Sequence, residues 1–206
     1  TGGAGAVFLN ASNITISNSI FTKNSAGLNG GAIGSSSNSI ENCTITGCTI
    51  ANNTAGGSAG GVGMQSRNFV ISNSTFKYNE AKGSYTENPE HPGNGGGMVM
   101  RGWDSYAYNC TFINNTASNA IIHFEDYFNE GLDAYITNAI FLNNKCEYEI
   151  YAPTPGVVVK DSWFGNNASN YMNKPNINDN VTIDNWLFLN ATADGVVRDP
   201  SALVIT

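Results

Sequence analysis

The chain has 206 residues, 41% of them apolar and only 12% charged, with nine Lys and Arg against 16 Asp and Glu for a net charge of −7. Cations so few and so scattered form no phosphate-tracking face, which argues against nucleic acid as a partner, and no apolar run approaches the roughly 18 residues that insert into a membrane. Asn, Ser, Thr and 23 Gly stand in for the missing charge, so long helices with Glu/Lys faces are not expected.

Two phrases alternate along the chain. One is a Gly- or Ala-led apolar run; the other is a β run followed by Asn-small-x-Phe-x-x-Asn. In chain order they read GAVFL (5–9) and ISNSIFTKN (16–24), then GGAI (30–33) and ITGCTIANN (45–53), where Ile50 replaces Phe. Next come GGVGM (60–64) and ISNSTFKYN (71–79), then GGGMVM (95–100) and AYNCTFINN (107–115). AIIHF (120–124) with ITNAIFLNN (136–144), VKDSWFGNN (159–167) and a degenerate IDNWLFLN (183–190) complete the series. The anchors fall at 21, 50, 76, 112, 141, 164 and about 188, spaced by 29, 26, 36, 29, 23 and about 24 residues. Such variation about a 20–30-residue period marks a solenoid. The spacing of 36 is explained by EAKGSYTENPEHPGNG at 80–95, a polar loop with two prolines spliced into one coil.

Runs of four to six residues are too short for independent hairpins, and no two-residue Asn-Gly or Asp-Gly turn joins consecutive runs. Stacked at about 4.8 Å per coil, like phrases pair every backbone group with the coils above and below. The expected fold is all-β, a right-handed parallel β-helix of about seven coils over residues 1–167, with a terminal coil and C-terminal cap at 168–206. Phe21, Ile50, Phe76, Phe112, Phe141 and Phe164 should then form an interior stack. Ser19, Cys48, Ser74, Cys110, Ala139 and Ser162 should line a narrow interior column. Asn24, Asn53, Asn79, Asn115, Asn144 and Asn167 should bond amide to amide at an αL corner, with Gly at the other corner. Irregular sequence and the bulky Trp163 and Trp186 should help close the end.

Cys43, Cys48, Cys110 and Cys146 show no zinc-ligand spacing, so no metal is expected. Cys48 and Cys110 share a column two coils apart, about 9.6 Å by the strand spacing, too far for a disulfide, and read as buried thiols. Ten N-x-[ST] sequons, at Asn10, Asn13, Asn42, Asn52, Asn73, Asn109, Asn114, Asn167, Asn180 and Asn190, permit N-glycosylation. With no signal peptide or initiator Met, and Thr1 inside a repeat, the chain reads as a fragment of a longer secreted protein.

The GGAI and FxxN phrases resemble the repeats of chlamydial polymorphic outer-membrane proteins and of the Asn/Thr-rich adhesin-like surface proteins of methanogenic archaea. DSWFGNNASNYMNKPN (161–176) followed by VTIDNWLFLNATADGVV (181–197) is similar to the end of the β-helix region in the archaeal group. The resemblance covers essentially the whole chain. It implies a cell-surface location and an adhesive or structural role, and brings no catalytic residues.

Aligning MVMRGWD (98–104) with IIHFEDY (121–127) puts Met100 beside His123, Arg101 beside Phe124 and Trp103 beside Asp126, with Asp104, Tyr106, Glu125, Tyr127 and Glu130 nearby. Arg101, Trp103, Asp104, Glu125, Asp126 and Tyr127 are the candidate carbohydrate patch, aromatic faces stacking on sugar rings while charged groups bind hydroxyls. The plainer alternative is a corner where an irregular loop packs aromatics. His123 is expected to be packed, His91 exposed, and Glu147 and Glu149 to lie on a solvated face. No repeating Ca²⁺ nonapeptide and no nucleotide-binding or hydrolase motif is present, and no cofactor is expected.

The expected function is a non-enzymatic, adhesin-like or stalk segment at the cell surface, meeting glycans or proteins of another cell or copies of itself. A polysaccharide lyase or glycoside hydrolase is one alternative and would need acids converging near Arg101 and Glu125. A purely structural coat component is another.

Overall fold

The computed structural model describes residues 3–35, 40–83, 93–126, 131–165 and 175–189, and the regular elements among them are all strands. Coil one holds β1 (Val7–Leu9), β2 (Thr15–Ser17), β3 (Ile20–Thr22) and β4 (Ser25–Ala26). Coil two holds β5 (Ile33–Ser35), β6 (Thr44–Thr46), β7 (Thr49–Ala51) and β8 (Thr54–Ala55). Coil three holds β9 (Val62–Gln65), β10 (Val70–Ser72), β11 (Thr75–Lys77) and β12 (Glu80–Ala81). Coil four holds β13 (Met98–Arg101), β14 (Ser105–Tyr108), β15 (Thr111–Ile113) and β16 (Thr116–Ala117). Coil five holds β17 (Ala120–Glu125), β18 (Ala134–Thr137) and β19 (Ile140–Leu142); β20 (Tyr148–Tyr151) and β21 (Val157–Gly165) form coil six, and β22 (Val181–Leu189) coil seven.

Like strands stack in parallel. One sheet runs β1-β5-β9-β13-β17-β20 and another β4-β8-β12-β16. The third carries two stacks side by side, β2-β6-β10-β14-β18 and β3-β7-β11-β15-β19, joined where β21 crosses both and pairs with β22. This is the parallel β-helix that the repeat predicts. Glu80 and Ala81 belong to a strand that pairs with Thr54–Ala55 and Thr116–Ala117, so the inserted segment starts later than residue 80. Residues 84–92, His91 among them, lie outside the described residues.

Period-two alternation sends every second side chain of a strand inward. The anchor column follows the predicted register from Phe21 through Ile50, Phe76, Phe112 and Phe141 to Phe164. Its last four rings stack with centroids 4.8, 5.1 and 5.0 Å apart and interplanar angles of 14°, 9° and 3°. The strand spacing imposes that distance, and each buried ring contributes roughly 1.5–3 kcal/mol.

The column two residues earlier is small because the chain turns tightly there. Ser74 Oγ accepts from the Cys48 N–H (3.1 Å) and donates to the Ser72 carbonyl (2.7 Å); Ser162 does the same with Ala139 N–H (3.2 Å) and the Lys160 carbonyl (2.8 Å). Cys48 Sγ and Cys110 Sγ lie against the carbonyls of Thr46 (3.3 Å) and Tyr108 (3.4 Å), the position the serine hydroxyls take. Ser and Cys therefore exchange along this column, and all four cysteines are free thiols. The register ends the column on Trp186 beside Ser162, a bulky side chain at the closing end.

The asparagine column is a continuous buried ladder. Asn24 Nδ2 donates to Asn53 Oδ1 (2.9 Å), Asn53 to Asn79 (3.0 Å), Asn79 to Asn115 (3.0 Å) and Asn115 to Asn144 (3.2 Å). Each acceptor Oδ1 also takes the backbone N–H of the donor residue. From Asn53 onward the Nδ2 also reaches back to the anchor carbonyl of the previous coil: Phe21, Ile50, Phe76 and Phe112. Asn53, Asn79 and Asn115 are fully buried, and every polar atom of their carboxamides is used. Asn167 lies outside the described residues.

The ladder asparagines are not the αL residues, which corrects the sequence expectation. The preceding residue takes that conformation: Lys23 (φ 59°), Asn52 (55°), Tyr78 (55°), Asn114 (53°) and Asn143 (51°). A carboxamide locked by neighbours on both sides needs an ordinary backbone; the residue that reverses the chain is the one before it. The Gly-Gly phrase divides its work in the same way. Gly30 and Gly95 are at positive φ, with Ala59 between them, while a Cβ on the next residue, Gly31, would strike the Gly60 carbonyl oxygen of the adjacent coil.

Asn79→Ala should destabilise the protein by about 3 kcal/mol or more, because it removes the acceptor of the buried Asn53 N–H and Nδ2 and the Nδ2 donor to the Ile50 carbonyl, while Asn115 Oδ1 keeps the backbone N–H of residue 79. Phe112→Ala should cost a comparable 3–5 kcal/mol through the cavity left in the ring stack. Thr22→Ala on an exposed strand face should change stability by less than about 0.5 kcal/mol. Urea unfolding of the three variants checks this ranking.

Candidate functional site

The candidate patch lies where the first sheet hands the chain to the third. The register differs by one residue from the sequence alignment: Val99 pairs with His123, Met100 with Phe124 and Arg101 with Glu125. Parity is the reason. Met98 and Met100 must point inward with Ile122 and Phe124, so His123 falls in the outward column and Arg101 meets a carboxylate rather than a ring.

Arg101 and Glu125 grip one another in two parallel bonds, Nε to Oε2 at 2.5 Å and Nη2 to Oε1 at 3.1 Å. His123 is buried. Its ring stacks on Tyr151 with centroids 5.0 Å apart, its Nδ1 lies 3.4 Å from Asn119 Nδ2, and its Nε2 lies 3.8 Å from Glu125. It is the packed histidine that was expected. The Arg67 guanidinium sits 4.9 Å from the centre of the Trp103 ring and 3.6 Å from Glu41. Asp126 Oδ2 accepts the Gly131 N–H at 3.2 Å. Tyr127 and Glu130 lie outside the described residues.

The structure thus brings Arg101 and Glu125 together but spends them on each other, and covers one face of Trp103 with a cation. A carboxylate held bidentately by guanidinium is poorly placed to move a proton. Among the described residues no group of three or more His, Cys, Asp or Glu is arranged to hold a metal ion.

A second surface, on the outer face of the third sheet, went unnoticed in the sequence apart from Tyr106. Tyr106 and Tyr135 are register partners whose rings stack 5.7 Å apart at 6°. Both are exposed, as is Tyr108 two residues along β14. Asp104, at αL (φ 52°), and Asp133 lie at the base of the stack. Desolvation first, and then these carboxylates and Tyr135, raise the Tyr106 phenol above its ordinary pKa. The coils below continue the face with Thr15 and Ser17, Thr44 and Thr46, and Val70 and Ser72, and those above with Thr137, Val158 and Lys160. The signal was present: Tyr135 follows Tyr106 by 29 residues, the spacing of anchors 112 and 141.

The sequons follow from the same corner geometry. Asn13, Asn42, Asn73 and Asn109 take αL corners, and the Thr two residues on begins the next strand: Thr15, Thr44, Thr75 and Thr111. Asn52 with Thr54 and Asn114 with Thr116 repeat this at the next corner. Asn42 Nδ2 donates to Asn13 (3.1 Å) and Asn109 Nδ2 to Asn73 (3.1 Å), while Asn180 Nδ2 binds the Ala152 and Pro153 carbonyls. Asn10 and Asn52 are exposed; Asn167 and Asn190 lie outside the described residues.

Glu149 corrects another expectation. Glu147 is exposed as predicted, but Glu149 is buried, and its Oε2 accepts from Asn144 Nδ2 at 2.9 Å. Burial lifts its pKa to about 7, opposed by the Asn144 bond. Burial and then the Glu149 charge also raise the pKa of the neighbouring Cys146 thiol. Nearby, Tyr148, Ile177, Asn178, Asp179 and Asn180 line a depression of about 240 Å³. The Asn178 and Asn180 carboxamides there bond to the backbone of Ala152 and Pro153.

A carboxyl group whose folded pKa is raised favours the fold when protonated. Its contribution is full below the ordinary glutamate pKa of about 4.3 and is lost as pH rises through about 7. Glu149→Gln keeps the acceptor for Asn144 and removes the charge. The variant should melt higher than the parent at pH 8 and match it at pH 4, with the difference growing between those values. Thermal melts across that range check it.

Comparisons with protein-family models, with curated proteins and with solved structures return no match.

Proposed function

We propose that the chain is a non-enzymatic, adhesin-like segment of a cell-surface protein, a rigid solenoid that makes contact through the flat outer face of its third sheet. The observation that carries this reading is the in-register array on that face: Thr15, Ser17, Thr44 and Thr46 on the first two coils and Thr137 on the fifth, with Tyr106, Tyr108 and Tyr135 exposed between them. Aromatic rings with hydroxyls and carboxylates around them suit sugar rings and their hydroxyl groups. A flat array of this kind gains affinity from many weak contacts and from multiple copies. The ion-paired state of Arg101 and Glu125 weighs against the polysaccharide-cleaving alternative, and the burial of His123 weighs with it.

A glycan array probed with the chain displayed multivalently tests this. Tyr106→Ala/Tyr135→Ala should lower binding by about tenfold or more, in line with the loss of about 1.5 kcal/mol of aromatic contact. Arg101→Ala/Glu125→Ala should leave it within about twofold. A reversed ranking would move the contact to the Arg101 corner, and shortening of a glycan during incubation would put the enzymatic alternative ahead.

A further inference from the structure

The tyrosine face carries the same triplet on two adjacent coils. Asp104-Ser105-Tyr106 and Asp133-Ala134-Tyr135 both read acid, small residue, tyrosine, with Ser105 paired to Ala134 and Tyr106 to Tyr135. Ser105 and Ala134 are buried, so each acid and its tyrosine flank a side chain that points inward. The two rings turn one face to each other. Their column continues as Val70 below and Val158 above. Valine is shorter than tyrosine, so the outer face of each ring stands clear of its neighbour.

The acids belong to a column of their own. Two residues before Thr15, Thr44, Val70, Tyr106 and Tyr135 stand Asn13, Asn42, Asn68, Asp104 and Asp133. The asparagines form an exposed amide ladder: Asn42 Nδ2 donates to Asn13 Oδ1 at 3.1 Å, and Asn68 Nδ2 to Asn42 Oδ1 at 3.0 Å. Continued in that direction, the ladder needs position 104 to donate to Asn68 and position 133 to donate to 104. Neither can, because a carboxylate only accepts. Asn68 Oδ1, Asp104 and Asp133 are thus successive side-chain acceptors on adjacent coils, with no donor to them among the described residues. Cations on the surrounding coils are held by other groups: Arg67 by Glu41 and the Trp103 ring, Arg101 by Glu125, and Lys160 by Asp184. Like charges on neighbouring strands repel, and both carboxylates act on the Tyr106 phenol.

We infer that the glycan met by this face is a cationic one, a polysaccharide whose sugars carry free, protonated amino groups. The inference rests on the glycan-binding reading above and gives it a substrate class. An ammonium group brings three donors and a positive charge to a column that offers acceptors and negative charge. It is also drawn to the open tyrosine face beside each carboxylate. Because the acid–tyrosine pair recurs one coil on, a sugar chain lying along the solenoid axis meets it twice. An acidic polysaccharide meets the same column as repulsion, which the net charge of −7 reinforces. A basic peptide offers the ammonium groups but not the hydroxyls that suit the flanking Thr44, Thr46 and Thr137.

The test offers the multivalently displayed chain immobilised oligoglucosamine, its fully N-acetylated counterpart, an oligouronate and oligolysine, at a pH that keeps the amines protonated. Oligoglucosamine should bind about tenfold better than the N-acetylated form, a margin built from individually weak charge and cation–π contacts compounded by multivalency, and added salt should shrink it. Asp104→Asn/Asp133→Asn should bring oligoglucosamine down to the N-acetylated level. The same variant should melt no lower than the parent, because an amide at 104 can donate to Asn68 Oδ1 and the repulsion is gone. Equal binding of the two glucosamine polymers, or a double variant that keeps the preference, overturns the inference and leaves the glycan-binding reading intact. Oligolysine held in preference to every glycan overturns it in favour of a basic peptide. If no glycan binds in any form, the glycan-binding reading fails and the inference fails with it.

Discussion

The fold rests on a carboxamide placed where three coils meet. A parallel β-helix satisfies its strands easily, because each coil pairs with two neighbours; the corners are the difficulty, since backbone groups there leave the ladder and water is excluded. The buried asparagine column resolves this at one corner. Each side chain takes two N–H groups from the coil before it, reaches the anchor carbonyl of that coil, and gives an N–H to the coil after it. No other uncharged side chain of this size offers donor and acceptor in so short a reach.

Much else follows from that corner. Because the asparagine is pinned, the chain reversal falls to its predecessor, and the αL conformation selects Asn there in three of five coils. In the first six coils the tight path two residues before the anchor holds only Ser, Cys or Ala, with hydroxyl and thiol facing the equivalent carbonyl. The Asn-x-Thr triplets are a by-product of placing an αL asparagine just before an outward threonine, so their abundance reflects backbone geometry first and any glycan second.

The repeat made most of this legible. Seven anchors at near-constant spacing located the ring stack, the small column and the amide ladder without any knowledge of coordinates. The misreading at Arg101 came from aligning two phrases that both lack a clear corner: MVMRGWD and IIHFEDY match almost as well one residue out of step, and only the inward parity of Met100 and Phe124 decides between them. Glu149 was illegible for a different reason. A carboxylate among polar residues looks solvated, and its burial against the Asn144 amide is a contact that exists only in three dimensions. Tyr135 was legible through its spacing of 29 residues from Tyr106, the interval between the anchors Phe112 and Phe141.

The stacking of edges along one axis also has a mechanical consequence. Tension applied between the two chain ends loads the inter-coil hydrogen bonds a few at a time, in an unzipping geometry, rather than shearing a whole sheet at once. An end coil peels away while those behind it keep their ladders. Each release of 29 residues, the interval between Phe112 and Phe141, frees about 100 Å of extended chain. A solenoid tethered at both ends would yield in coil-sized steps and dissipate a sudden pull as a series of small extensions.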